Sequence, residues 1–190
     1  MNSYFSEAGT FLIGVIFGFI ILMVMLRFIL QSVRADFYNP ISQFIVKVTD
    51  PLIKPLRRII PGFAGLDMAA IVLMLVLKFV ELLLIFAISG KSLHILVILI
   101  LSATELLSLI LYVFIFAIFI MAIASWIAPG NYNPVLSLIN QIIAPVIRPI
   151  RKRMKPVSGL DLSPMVALIV LYLIVMAIPR LQIALLSLLQ

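Results

Sequence analysis

"YNPISQFIVKVTDPLIKPLRRIIPGFAGLD", residues 38–67, returns 94 positions later (38 to 132) as "YNPVLSLINQIIAPVIRPIRKRMKPVSGLD", residues 132–161. The two passages agree at Tyr38/Tyr132, Asn39/Asn133 and Pro40/Pro134, and again at Pro51/Pro145, Pro55/Pro149 and Arg57/Arg151. Both close on Gly-Leu-Asp, at Gly65–Asp67 and Gly159–Asp161. A polar, basic passage kept twice implies a duplicated unit. The sequence on either side of each copy says what kind.

That sequence is apolar. Of 190 residues 65% are hydrophobic and only 11% charged, and mean hydropathy is +1.31. A soluble domain of this length needs far more polar surface. Uncharged runs of about 20 apolar residues are membrane spans, and without alternating barrel strands the spans are helices, which satisfy their own backbone groups in lipid. There is no cysteine, so disulfides, thiolate metal sites and cysteine nucleophiles are excluded, and His94 is the lone histidine. The opening "MNSYFSEAGTFLIGVIF" has Glu7, no basic leader and no small-residue cleavage pattern. It reads as a retained first span.

The first span is expected over Phe11–Gln31 and the second over Met68–Ser89. From Ser92 to Ile127 the chain is apolar almost without pause, about 54 Å as one straight helix against a hydrocarbon core of about 30 Å. Shifting the first span by the repeat offset lands on Glu105–Ser125. The third span is therefore expected near Glu105–Ile127, with "LHILVILILSA" (93–103) as a separate interfacial or partly inserted helix. The fourth runs from Leu162 to at least Ile178, where Pro179 and Arg180 mark the interface.

Lys47, Lys54, Arg57 and Arg58 lie in the first loop, with Arg34 just before it; Arg148, Arg151, Lys152, Arg153 and Lys155 lie in the second. The opposite side has Lys91 and Arg180. By the positive-inside rule both loops face the cytoplasm and both termini lie outside, as expected of a multi-pass inner-membrane protein. The net charge of +7 is thus a topology signal, and no nucleic-acid partner is expected. Two spans per unit return the chain to its starting side, so the units at 1–97 and 98–190 are parallel tandem repeats. The fold class expected is an all-α membrane protein with four transmembrane helices.

Each loop begins with Asn-Pro, a helix-start signal: the Asn side chain accepts from early backbone N–H groups, and Pro suits the first helical position. Ile41, Ile45, Val48, Leu52, Leu56 and Ile59 then recur at spacings of three and four, with Lys47, Asp50, Lys54 and Arg57 between them. Val135, Ile139, Ile142, Val146 and Ile150 repeat the stripe. This is an amphipathic helix of the kind that lies in the membrane interface. Proline inside a helix removes a hydrogen bond, so two short helices are expected per loop, bent near Pro51 and Pro145. Gly65 and Gly159 serve the closing turns, and Asp67 and Asp161 cap the second and fourth spans.

A YNP start, a P-x-x-x-P-hydrophobic-Arg core and a G-hydrophobic-D exit, present twice between paired spans, resemble the YggT/YlmG family over essentially the whole chain. The second loop departs from the first at "KRMKPVSG", where the proline after the basic cluster is shifted. The resemblance implies a small, non-enzymatic integral membrane protein of bacteria, with plastid relatives. It carries links to cell division or nucleoid organisation, osmotic-stress tolerance and, in plastids, haem attachment during cytochrome maturation.

Within the spans, Lys78 and Glu81 lie three apart, on neighbouring helical faces, and Glu105 is a further partner for Lys78. Intramembrane charges cost a few kcal/mol on insertion scales and are functional candidates. Their counterparts for Lys78 and Glu81 in the second repeat are Tyr172 and Val175, an asymmetry that favours a structural ion pair over a pore on the repeat axis. Arg27, near the end of the first span, is expected to snorkel to the interface, and Trp126 and Tyr132 fit an aromatic belt. No Ser/His/Asp set, paired catalytic carboxylates, phosphate loop or metal spacing appears; no enzyme, metal or cofactor is expected. The expected function is that of a non-catalytic membrane assembly or organising factor. Its candidate contacts with anionic lipid or a membrane-protein partner are Lys47, Lys54, Arg57, Arg58, Arg148, Arg151, Lys152 and Arg153, and self-association is compatible with its size. The alternative is a small ion or solute channel using Lys78, Glu81 and Glu105.

Overall fold

The computed structural model describes residues 2–90, 92, 94–127, 133–154 and 161–189, with the side chains of 2, 3, 126 and 127 excepted. These residues form six helices, in order α1 (Asn2–Ser32), α2 (Pro40–Arg57), α3 (Met68–Ile88), α4 (Ile95–Ile127), α5 (Pro134–Arg153) and α6 (Ser163–Ser187). Four of them, α1, α3, α4 and α6, are long and apolar enough to cross a membrane. The described residues contain no β-strand. Tyr132, Gly159, Leu160, Lys155 and Lys91 lie outside the described residues, as does the Trp126 side chain.

In each repeat the two spans pack against one another, α1 on α3 and α4 on α6, and α3 packs on α4 to join the halves. Ser6 Oγ at the start of α1 donates to the Ile88 carbonyl at the end of α3 (3.2 Å), which sets that pair antiparallel. Only 11% to 28% of each span is buried. Such surface is not driven together by water exclusion in lipid, so packing and interhelical polar contacts hold the bundle. The core is concentrated at one end. Val24, Ile29 and Leu30 of α1, Leu73 and Met74 of α3 and Ile118 of α4 meet Ile53 of α2 and Ile147 of α5 there.

Three expectations are corrected. The apolar run before Glu105 is not a separate interfacial helix: α4 is continuous over Ile95–Ile127, 33 residues or about 50 Å. The helix that carries the first span likewise begins well before Phe11: α1 starts at Asn2 and has 31 residues, its apolar span running from Tyr4 to Ser32. The repeat relation was sound, but the copied template was too short. Ser102 and Thr104 carry α4 past the expected break by turning their hydroxyls back onto the Ile98 (2.7 Å) and Ile100 (2.9 Å) carbonyls of their own helix, so neither exposes a polar group to lipid.

The loop helices do not divide at their prolines. Pro51 and Pro55 sit inside α2, and Pro145 and Pro149 inside α5. Each pair is spaced by four, so the carbonyls deprived of a donor belong to Lys47 and Pro51 in α2, and to Gln141 and Pro145 in α5. Lys47, Pro51, Pro55, Pro145 and Pro149 are all exposed. The lost bonds therefore fall on the outer strip, where water or head groups can take them, while the inner ladder continues. The fourth span also continues through Pro179 to Ser187, since a proline in a membrane helix is tolerated where neighbours supply the packing.

Candidate functional site

The repeated passage folds into a helix at the same end of the bundle in each half. Asn39 Oδ1 accepts from Ile41 N (2.9 Å) and Asn133 Oδ1 from Val135 N (2.8 Å), each just before the proline that opens the helix. Such a cap contributes about 1 kcal/mol. Asn39 does more: its Nδ2 donates to the Pro134 carbonyl (2.7 Å). The Asp36 amide also donates to Gln141 Oε1 (2.7 Å). Both bonds run from one repeat to the other and hold the start of α2 against α5.

Arg57 and Asp67 explain why the far end of the motif is kept. Arg57 Nε and Nη2 both donate to Asp67 Oδ2 (3.2 and 2.5 Å), and Nη2 also reaches Gln31 Oε1 (2.7 Å). Asp67 is the N-cap of α3, its Oδ1 accepting from Ala70 N (3.3 Å). One carboxylate thus fastens the end of α2 to the start of the second span. The second repeat does the same with Arg151 Nε and Nη2 on Asp161 Oδ2 (2.9 and 2.6 Å). Asp161 is not the cap residue itself, which is Leu162; its Oδ1 accepts from Ser163 N (2.9 Å) one step later. That hydrogen bonding from Ser163, with Arg151 adding to it, holds the Asp161 carboxyl below its ordinary range. Between these ends Phe63 and Leu66 exchange backbone bonds (3.1 and 2.9 Å) around Ala64 and Gly65, both at positive φ (51° and 81°). That is a type I′ turn, in which glycine is at ease and alanine is strained.

The remaining cations point outward. Around α2, Ser42, Ile45, Thr49 and Ile53 are buried, Phe44, Val48 and Leu52 form an exposed apolar stripe, and Lys47, Lys54 and Arg58 an exposed cationic one. On α5, Leu138, Ile142, Ile143 and Ile147 are buried, and Arg148, Lys152 and Arg153 are exposed.

Arg27 was misread. It does not snorkel: its residue is 5% exposed, and Nη1 donates to Thr49 Oγ1 (2.8 Å), Asp50 Oδ1 (2.7 Å) and the Val46 carbonyl (3.3 Å). Asp50 also takes Lys54 Nζ at 2.7 Å. The hydrogen bond from Lys54, then that from Arg27, holds the Asp50 carboxyl below its usual range against the opposing effect of burial. The sequence did hold a signal. An arginine inside a span demands an acceptor, and Asp50 is the acid in the middle of the facing amphipathic segment.

Lys78, Glu81 and Glu105 do come together. Lys78 Nζ lies 3.0 Å from Glu81 Oε1 and 2.8 Å from Glu105 Oε2, so the cluster ties α3 to α4. His94 is exposed at the start of α4. Among the described residues no three His, Cys, Asp or Glu side chains stand together as metal ligands.

Comparison with known proteins finds the CCB3/YggT family in each half, matched over residues 6–88 and again over 100–182. The chain belongs to the CCB3/YggT family. The two matches are displaced by the same 94 positions (6 to 100) as the Tyr-Asn-Pro motif. A Pseudomonas aeruginosa protein is 48% identical over 175 residues, 91% of this chain and 89% of its own length. A Vibrio alginolyticus protein is 41% identical over 163 residues, covering 84% and 87%. The Escherichia coli protein YggT is 33% identical over 169 residues, covering 89% and 88%. No solved structure matches the chain.

Proposed function

We propose that this CCB3/YggT family member is a non-catalytic organising factor of the bacterial cytoplasmic membrane, and that its paired basic helices are the working surface. One observation carries the reading: α2 and α5 start beside one another through the Asn39–Pro134 bond, which brings the exposed cations of both repeats to the same end of the bundle. Arg57 and Arg151 are committed to internal carboxylates. The outward set is Lys47, Lys54, Arg58, Arg148, Lys152 and Arg153. Each such cation near an anionic leaflet contributes about 1 kcal/mol, and the adjoining stripe of Phe44, Val48 and Leu52 suits the acyl boundary. The lipid is the immediate contact and a membrane-protein client the second.

Photoreactive residues at Lys54 and Arg148, introduced in cells, test this. One recurrent protein adduct at both positions supports an organising role and names the client; lipid adducts alone reduce the field to an anchor. The absence of cysteine permits a companion test of orientation. Single cysteines at these two positions should label only from the cytoplasm, and one at Ser92 only from outside.

Conduction through Lys78, Glu81 and Glu105 is the weaker reading. The three charges answer one another, and the equivalent residues of the other repeat are Tyr172, Val175 and Phe11.

A further inference from the structure

The duplication supplies an internal control: a residue in one repeat can be compared with the residue 94 positions away, in the same architectural setting. The comparison exposes a place where the halves differ in volume and in charge. In the first repeat the space between α1 and α2 is filled by the Arg27 guanidinium on Thr49 and Asp50. The counterparts of Arg27, Phe28, Thr49 and Asp50 are Met121, Ala122, Ile143 and Ala144. Three of the four exchanges replace a large or charged side chain by a smaller or apolar one. Between α4, α5 and α6 they leave a recess of about 660 Å³, with Ile118, Met121 and Ile147 on its apolar wall and Arg148 on its rim.

Arg148 also borders a second recess, of about 520 Å³, with Arg34, Lys152 and Gln141. The two share Gln141, Ala144 and Arg148 and so adjoin. The loss of the acid at position 144 has a second effect. Lys54 is neutralised by Asp50 four residues earlier, but its counterpart Arg148 has Ala144 there and no carboxylate partner among the described residues. No acidic residue lines the second recess. Arg34 is held at its mouth by a Schellman turn, Ala35 N donating to the Leu30 carbonyl (2.8 Å) and Arg34 N to Gln31 (3.1 Å). Its φ of 53° is one that glycine prefers at this position.

We propose that these adjoining recesses bind one anionic phospholipid. The phosphate is held by Arg34, Arg148 and Lys152, and an acyl chain lies along Ile118, Met121 and Ile147. The inference rests on the reading of α2 and α5 as a lipid-facing surface and deepens it: the field as a whole attracts the leaflet, and the second repeat alone holds a discrete molecule. Three cations beside a recess with one apolar wall at the span ends match a phosphodiester attached to a hydrocarbon tail, since charge-assisted bonds from arginine to phosphate are strong; Asp161, the acid that lines the larger recess, is already paired with Arg151.

The full chain in detergent, examined by native mass spectrometry while phosphatidylglycerol or phosphatidylcholine is titrated, decides it. A single phosphatidylglycerol adduct should fill at concentrations where phosphatidylcholine shows none. Arg34→Gly keeps the turn, and Met121→Arg with Ala144→Asp rebuilds the plug of the first repeat; each should weaken the adduct about tenfold while melting within a few degrees of the parent. Arg148→Ala should act likewise, and Arg180→Ala, exposed far along α6 and outside the basic field, should leave the adduct unchanged. Full binding by the Arg34 and plug variants overturns the site. If several weak phosphatidylglycerol adducts persist in all variants, the recess is refuted and the basic field stands; equal uptake of both lipids refutes both. Displacement of the adduct by millimolar inorganic phosphate overturns the lipid assignment in favour of a free-anion site.

Discussion

Arg27 on α1 and Asp50 on α2 meet at 2.7 Å, with the arginine side chain 6% and the aspartate side chain 21% exposed, and the second repeat puts Met121 and Ala144 in their places. The same scaffold therefore holds both a buried ion pair and an apolar substitute. Removing one member of such a pair leaves an uncompensated charge, whereas replacing both is far milder. Asp50→Ala should cost about 3 kcal/mol, and Arg27→Met combined with Asp50→Ala no more than about 1 kcal/mol. Reversible unfolding of both variants in the same detergent checks the order. Simple additivity of the two single changes would remove the argument.

The two arginine clasps differ in burial, and that difference ranks them. Asp67 is 4% exposed and Asp161 36%, with Arg57 38% and Arg151 60%. An exposed pair contributes at most about 1 kcal/mol, while a hydrogen bond to a buried charge contributes roughly 1.5–3 kcal/mol. Arg57→Ala should thus lower stability by about 2 kcal/mol, and Arg151→Ala by less than about 1 kcal/mol. Equal melting-temperature losses would mean that the clasps do not bear load according to burial.

The acid limb of stability should trace to carboxylates outside the spans. Asp50 and Asp161 both titrate below their ordinary range in the folded chain. A group with a depressed folded value stabilises above its unfolded pKa, about 3.9 for Asp, and that contribution is lost as pH falls through the folded value. Melting temperature should be level from pH 8 to about 5 and fall below about 4. Asp50→Asn should start lower at neutral pH and lose less on acidification. A steeper acid limb in that variant would reverse the sign and defeat the assignment.

Most of this architecture was legible because the chain states it twice. The Tyr38–Asp67 passage located the loop helices, their Asn caps and their carboxylate exits, and the apolar runs between located four spans. Three things were not legible, for distinct physical reasons. Proline breaks a helix only where its lost bond cannot be relieved, and sequence does not show that Pro51 and Pro55 share one outward strip. The length of α4 depends on how a long apolar helix sits in its bundle, which composition does not reveal. Arg27 faces inward because Asp50 stands across from it, a pairing between elements that no single-helix pattern contains.

The Lys78 cluster yields the last prediction. Glu81 has a side chain 6% exposed, Glu105 one 45% exposed, and Lys78 lies between them at 16%. Glu81 Oε2 is buried with no hydrogen-bond partner. The ammonium therefore compensates one carboxylate buried inside the bundle and another exposed on its surface. Losing Lys78 strands Glu81 in a medium where an unpaired charge costs a few kcal/mol on insertion scales. Lys78→Tyr alone should destabilise the bundle by about 2–3 kcal/mol, and adding Glu81→Val, so that both positions match the second repeat, should recover most of it. Glu105→Gln should be milder than Glu81→Gln, by about 1 kcal/mol. Unfolding of the purified variants measures the ranking, and ion flux in liposomes, followed in parallel, should be the same for parent and Lys78→Tyr/Glu81→Val. A flux change with unchanged stability would move this cluster from structure to transport.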